Sequence, residues 1–224
     1  MALLVGVATP YAPAPAADEA GPTAAPARHT RVILVFGDSL SAGYGIRVDH
    51  GWVSLLAQKL AREGYGFQVV NASVSGETTA GGLARLPRAL SLHRPGIVIL
   101  ELGANDGLRG LPVAQARDNL GRMISLAQAQ HARVLLLGMR MPPNYGERYT
   151  EGFRQMYLEV AHSYGVPLLP FFLDRVALHA ELMQADNLHP NELGQPLLLE
   201  NVWPKLAPLL QQAARSAEAG AAVH

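Results

Sequence analysis

Five apolar runs, each too continuous to alternate between core and water, constrain this chain most. "RVILVF" (31–36), "FQVVNA" (67–72), "IVILEL" (97–102), "RVLLLG" (133–138) and the shorter "VPLLPF" (166–171) read as strands covered on both faces. Between them lie segments with apolar residues at helical spacing. In "GWVSLLAQKLAREG" the residues Trp52, Val53, Leu56 and Leu60 share one face, and Gly64 ends it. In "PVAQARDNLGRMISLAQAQ" the stripe is Val113, Ala116, Leu120, Met123 or Ile124, and Ala127. In "EGFRQMYLEVAHSYG" it is Phe153, Met156 or Tyr157, Val160 and Tyr164, with Gly165 as a stop. The segment 191–213 is apolar but carries Pro196, Pro204 and Pro208, which predicts a kinked or two-part helix. Strands alternating with helices form βαβ units, and so an α/β domain with a mostly parallel, doubly wound sheet. The 224 residues suffice for one such domain. Ligands of these sheets bind beyond the carboxyl ends of the strands, which makes the strand exits the places to inspect.

Composition removes several functions. Lys plus Arg equals Asp plus Glu at 18 each, so no net field favours nucleic acid or an anionic membrane. The absence of cysteine excludes disulfides, thiolate metal sites and a cysteine nucleophile. Segment 1–30 differs from the rest. An apolar run at 2–8 precedes "APAPA", which offers a small-x-small cleavage site like that of a secretory signal, although the basic start is missing. A disordered Ala/Pro arm is the alternative. The run is far below the ~20 residues that span a bilayer. The expected layout is a signal-like segment and linker at 1–30, one domain at 31–213 and a flexible tail at 214–224. The expected location is periplasmic or secreted, and otherwise cytoplasmic.

The strand exits hold the chemistry. Gly37-Asp38-Ser39 follows the first strand, "NASVSGETTAGG" with Gly76 the second, and "GANDGLRG" with Asn105 the third. "DNLHP", with Asp186 and His189, precedes the final helix. A serine hydroxyl is a weak nucleophile until a base takes its proton, and histidine has the pKa for that task. A carboxylate on the other imidazole nitrogen fixes the tautomer, and an Asp three residues ahead can reach it within one turn. Attack on an ester puts negative charge on the carbonyl oxygen, and the Ser39 N–H, the Gly76 N–H and the Asn105 amide are the candidate donors to it. Each signal alone reads as an ordinary turn or cap. Together, at one edge of one sheet, they are specific. Asp38 reads as a cap of the turn or the following helix. His29, His50, His93, His131, His162, His179 and His224 show no metal-ligand spacing.

These blocks resemble the GDSL, or SGNH, hydrolase superfamily, whose second name matches Ser39, Gly76, Asn105 and His189. "FGDSLSAGYG", "VVNASVSGETTAGGLARLP", "ELGANDGLRGLP" and "HPNELGQP" are similar to its bacterial branch of arylesterases and thioesterase I/lysophospholipase L1 enzymes. The resemblance implies a flavodoxin-like three-layer α/β/α sandwich on a mostly five-stranded parallel sheet, without metal or organic cofactor. It implies Ser39 as nucleophile, His189 as base and Asp186 as its partner. Ser39, Gly76 and Asn105 would form the oxyanion hole. The chain lacks the G-x-S-x-G elbow of ordinary α/β-hydrolases, so Gly37-Asp38-Ser39 must present the serine instead.

The expected reaction is hydrolysis of carboxylic esters and thioesters, including aryl esters, acyl thioesters and lysophospholipids, through an acyl-Ser39 intermediate. The partner is a small-molecule substrate, with no nucleic acid and no membrane span, in a monomer or weak oligomer. "MRMPPNYGERYT", stiffened by two prolines, is expected to line the acyl or leaving-group pocket with "SGETTAGGL". Tyr145, Pro143 and Leu108 are the pocket candidates. Met139, Met141 and Met156 read as packing or as acyl-pocket wall. Two alternatives stand beside this reading. One is a carbohydrate O-acetylesterase of the same superfamily. The other is a flavodoxin-like nucleotide- or anion-binding module, which lacks both phosphate-loop signatures and leaves Asp186 and His189 without a task.

Overall fold

A computed structural model describes residues 31–221, with side chains to Arg215. The signal-like segment and linker, and the last three residues of the expected tail, lie outside the described residues. All five expected strands form: β1 (Val32–Gly37), β2 (Gln68–Asn71), β3 (Ile97–Glu101), β4 (Arg133–Leu137) and β5 (Leu168–Leu169). They pair in parallel throughout, in the order β2-β1-β3-β4-β5. This is the flavodoxin-like order, in which the chain reverses its direction of winding between β1 and β3. Central β1 and β3 are wholly buried, as their unbroken apolar runs require. Edge strand β2 is only half covered.

Seven α-helices complete the layers: α1 (Ser39–Ala42), α2 (Trp52–Arg62), α3 (Thr79–His93), α4 (Ala104–Leu108), α5 (Val113–Ala129), α6 (Glu147–Tyr164) and α7 (Gln195–Ala221). Helices α3, α5 and α6 pack together on one face, and α2 packs with α7 on the other. The stripes expected on α2, α5 and α6 are their buried sides, including Trp52, Leu56, Leu60, Leu120, Met123, Ile124, Phe153, Tyr157 and Val160.

Two helices depart from the sequence reading. Helix α3 has no counterpart in it, because Gly81, Gly82 and Pro87 dilute the helical signal. Gly82 is nevertheless needed, since a Cβ there would meet Leu102 Cδ1 at 2.4 Å. Helix α7 is one element rather than two, and it runs past position 213 to Ala221, so the expected domain boundary falls inside a helix. Pro196 sits in its first turn, where no N–H is required. Pro204 and Pro208 face solvent, so water can serve the carbonyls they leave unpaired. Meanwhile Leu198, Val202, Leu206 and Leu210 anchor the opposite side with no exposure.

Candidate active site

The β1 exit is built for close approach. A Cβ at Gly37 would lie 2.5 Å from Glu101 Oε2 and 2.9 Å from Ser41 Oγ, so only glycine lets β1 turn so near the end of β3. Asp38 follows as the N-cap of α1, its Oδ1 accepting from the Leu40 N–H at 3.0 Å. That cap places Ser39 as the first helical residue, half-buried at the cavity edge.

His189 comes from the far end of the chain. Its Nε2 lies 2.8 Å from Ser39 Oγ and its Nδ1 2.6 Å from Asp186 Oδ2. Asp186 Oδ1 also accepts from the backbone N–H groups of Leu188 at 2.9 Å and His189 at 3.0 Å, closing the turn that sets this spacing. The imidazole hydrogen bond, followed by those backbone donors, depresses the Asp186 carboxyl to about 2. An ionised carboxylate only accepts, so Nδ1 carries the proton and the neutral ring offers the Nε2 lone pair to Ser39. Gln184 braces the turn: its backbone N–H donates to the His189 carbonyl at 2.8 Å, and its Nε2 donates to the carbonyls of Tyr44 and Pro190. The Tyr44 ring rests against the imidazole, with centroids 4.7 Å apart.

Asn105 joins three strand exits. Its Nδ2 donates to Asp38 Oδ2 at 3.0 Å and to the Glu77 carbonyl at 3.0 Å, beside Gly76. The "GAND" stretch forms the start of the short helix α4. Asp106 draws the β2 exit closer, accepting from the N–H and Oγ1 of Thr79 at 2.8 and 2.6 Å. Gly76 adopts φ +78°, a left-handed conformation that glycine takes without strain. Its carbonyl accepts from Arg109 Nη2 at 3.1 Å. Neither the Ser39 nor the Gly76 N–H donates to an acceptor among the described residues.

Two buried carboxyls underlie the serine turn, and sequence reasoning identified only Asp38. Burial raises Asp38 to about 6, and burial with the neighbouring Asp38 charge pushes Glu101 well above the carboxylate range. Glu101 Oε2 accepts from Ser41 Oγ at 2.8 Å and from the Asp38 N–H at 3.3 Å. The signal for Glu101 was a charge ending an apolar run, "IVILE".

A cavity of about 490 Å³ opens beside Ser39, Asn105 and His189. Leu108 and Pro143, two of the pocket candidates, line it together with Met139, Met141, Phe171, Leu178 and Leu188. Tyr145 does not line it. Its hydroxyl donates to the Leu108 carbonyl at 2.8 Å, and its ring faces Tyr149 on another cleft. "SGETTAGGL" is also absent from the lining, because the Thr79–Asp106 bonds turn that segment into α3. Met139 and Met141 are both packing and wall, whereas Met156 is core alone. Among the described residues no group of three or more His, Asp or Glu side chains is placed to hold a metal.

A hydroxyl, an imidazole and a carboxylate hydrogen-bonded in series, at the point where a flavodoxin-like sheet reverses its winding, make the arrangement of a serine hydrolase. Residues 35–197 match the model of the GDSL-like lipase/acylhydrolase family, and the chain belongs to that family. It is 53% identical over 180 residues to the esterase TesA of Pseudomonas aeruginosa, covering 80% of this chain and 90% of that protein. It is 43% identical over 178 residues to thioesterase 1/protease 1/lysophospholipase L1 of Escherichia coli K12, covering 80% and 84%. The crystal structure of psychrotrophic esterase EstA from Pseudoalteromonas sp., described as inhibited by monoethylphosphonate, superposes with a TM-score of 0.78. That match has 40% identity and covers 81% of this chain and 99% of EstA. The chain is therefore a hydrolase with the function of a serine esterase.

Proposed function

We propose that this protein hydrolyses carboxylic esters and acyl thioesters, aryl esters and lysophospholipids among them, by acyl transfer through Ser39. The observation that carries the proposal is the Ser39–His189–Asp186 chain of hydrogen bonds at 2.8 and 2.6 Å. His189 Nε2 takes the hydroxyl proton as Oγ attacks the carbonyl carbon, and Asp186 stabilises the imidazolium. The tetrahedral oxyanion meets the N–H groups of Ser39 and Gly76 and the Asn105 amide. Both Asn105 amide protons are engaged in the free protein, so one is shared with the oxyanion rather than held in reserve. The carbonyl re-forms as the imidazolium protonates the departing alcohol or thiol. Water then attacks acyl-Ser39, giving a proton to His189, and as this second tetrahedral intermediate collapses the imidazolium returns the proton to Ser39 Oγ and the acid leaves. The apolar wall of Met139, Met141 and Phe171 supports an acyl chain as the part held in the cavity.

The names of these relatives support esters, acyl thioesters and lysophospholipids as substrates, and the apolar 2–8 run with its small-residue site supports export to the periplasm or medium. No helix among the described residues is long and apolar enough to cross a membrane. A fluorophosphonate probe followed by peptide mapping tests the mechanism. Labelling at Ser39, lost together with p-nitrophenyl butyrate turnover in a folded Ser39→Ala variant, is the expected result. Labelling at another residue overturns the assignment.

A further inference from the structure

The catalytic cavity is apolar along most of its wall, yet one strong cation, the solvent-exposed Arg140, lines it. Arg140 lines the cavity between two buried neighbours, Met139 and Met141. Its backbone is held in place at the β4 exit. The Gly138 N–H donates to the Leu169 carbonyl and the Gly138 carbonyl accepts from the Phe172 N–H, both at 2.8 Å, which brings the exits of β4 and β5 together. The guanidinium therefore lies over the Phe171 ring, Cζ 4.9 Å from its centroid, and Phe171 is also cavity wall.

Stacking covers a face of the guanidinium and leaves its edge donors open, the arrangement suited to two parallel bonds with a carboxylate or phosphate. No carboxylate takes them. Arg140 is solvent-exposed and has no ion pair and no hydrogen-bond acceptor among the described residues; Arg88 and Arg122 are likewise exposed and unpaired, but Arg140 alone of the three lines the catalytic cavity. The single carboxylate in the cavity wall, Asp38, is already bonded to Leu40 and Asn105.

We infer that Arg140 is an anion subsite of the catalytic cavity, which selects esters carrying a phosphate or carboxylate within a cavity length of the scissile bond. The inference rests on the esterase reading and names its substrate class. The anion has two possible sources: a phosphate on the leaving group, as in a 1-acylglycerol phosphate, or a carboxylate at the far end of the acyl chain, as in the monoaryl ester of a dicarboxylic acid.

The test compares matched pairs on the wild type and on Arg140→Gln, Arg140→Lys and Arg140→Glu. One pair is 1-decanoylglycerol 3-phosphate against 1-decanoylglycerol. The other is mono-p-nitrophenyl adipate against its neutral methyl ester. The readout is the anionic-to-neutral ratio of kcat/KM, which a mere packing role would leave alone. In at least one pair the ratio should fall tenfold or more in Arg140→Gln, fall further in Arg140→Glu and partly recover in Arg140→Lys, mostly through KM. The pair that responds identifies the source of the anion. Ratios within threefold of wild type in both pairs overturn the subsite. Binding of decyl phosphate against decanol to Ser39→Ala protein, with and without Arg140→Gln, reads the subsite without turnover. A phosphate preference that disappears with Arg140 supports it even if ester hydrolysis fails, and equal binding of the two ligands overturns it.

Discussion

Asn105 Nδ2 lies 3.0 Å from Asp38 Oδ2, joining across 67 residues the turn that holds the candidate nucleophile and the helix that holds a candidate oxyanion donor. With the second amide proton on the Glu77 carbonyl, one side chain fixes the relative positions of the β1, β2 and β3 exits. Asn105→Ala should thus lower kcat on p-nitrophenyl butyrate by roughly 10²–10³, the scale for loss of one oxyanion donor. Asn105→Asp should lose more, because its acceptor oxygens face Asp38 Oδ2 and the developing oxyanion. Equal turnover by Asn105→Ala and wild type would remove the amide from the oxyanion site.

Asp186 is assigned to orient and charge-compensate the imidazole rather than to carry protons. Asp186→Asn should then reduce kcat by roughly 10⁴ with little change in KM, since the amide favours the wrong tautomer. The Asp186 carboxyl, depressed to about 2, stays ionised through the whole working range. Its contribution to stability is present above about pH 4 and is lost as pH falls toward 2. A loss of activity anywhere above pH 4 is accordingly not a titration of Asp186, and a wild-type limb that vanished in Asp186→Asn with kcat retained would contradict this.

Glu101 and Asp38 act on stability in the opposite sense. Both hold a proton more tightly in the folded protein than in the unfolded chain, which releases it near pH 4, so folding weakens as pH rises from there, through about 6 for Asp38 and further still for Glu101. Thermal unfolding from pH 4.5 to 8 should show Tm falling toward neutral pH. Glu101→Gln, which keeps an acceptor for Ser41 Oγ and the Asp38 N–H, should flatten that slope. Glu101→Ala orphans two buried donors at about 1–3 kcal/mol each. Parallel slopes for wild type and Glu101→Gln would show that Glu101 does not titrate with unfolding.

Chain-length preference should follow the cavity lining. Leu108→Trp and Met141→Trp, which fill the cavity, should shift preference among p-nitrophenyl esters toward shorter acyl groups. Tyr145→Phe should leave that preference unaltered. It removes the bond to the Leu108 carbonyl, which costs about 1 kcal/mol, or roughly 2–4 °C in Tm. A changed chain-length profile in Tyr145→Phe would return the ring to the pocket.

Much of this molecule was legible in its sequence because burial on both faces writes itself as uninterrupted apolar runs. That signal located β1 to β5, and the stripes of α2, α5 and α6 gave their buried faces. Ser39, Gly76 and Asn105 stood out because strand exits are where a doubly wound sheet exposes chemistry, and Asp186 and His189 because their three-residue spacing before the final helix suits a carboxylate–imidazole pair. Helix α3 stayed hidden, since Gly81, Gly82 and Pro87 are poor helix formers whose cost is met by packing against Leu102 and by the Asp106 cap.

What the tertiary structure alone decided is everything that depends on distance. No spacing along the chain reveals that Glu101 lies under Gly37, that Gln184 braces the Tyr44 and Pro190 carbonyls, or that Tyr145 points away from the cavity while Arg140 lines it. Local sequence reports the pattern of burial, a property of one segment and its own period. Which side chains meet is settled by where β1, β3 and β4 end relative to one another, and that follows from the packing of the whole sheet.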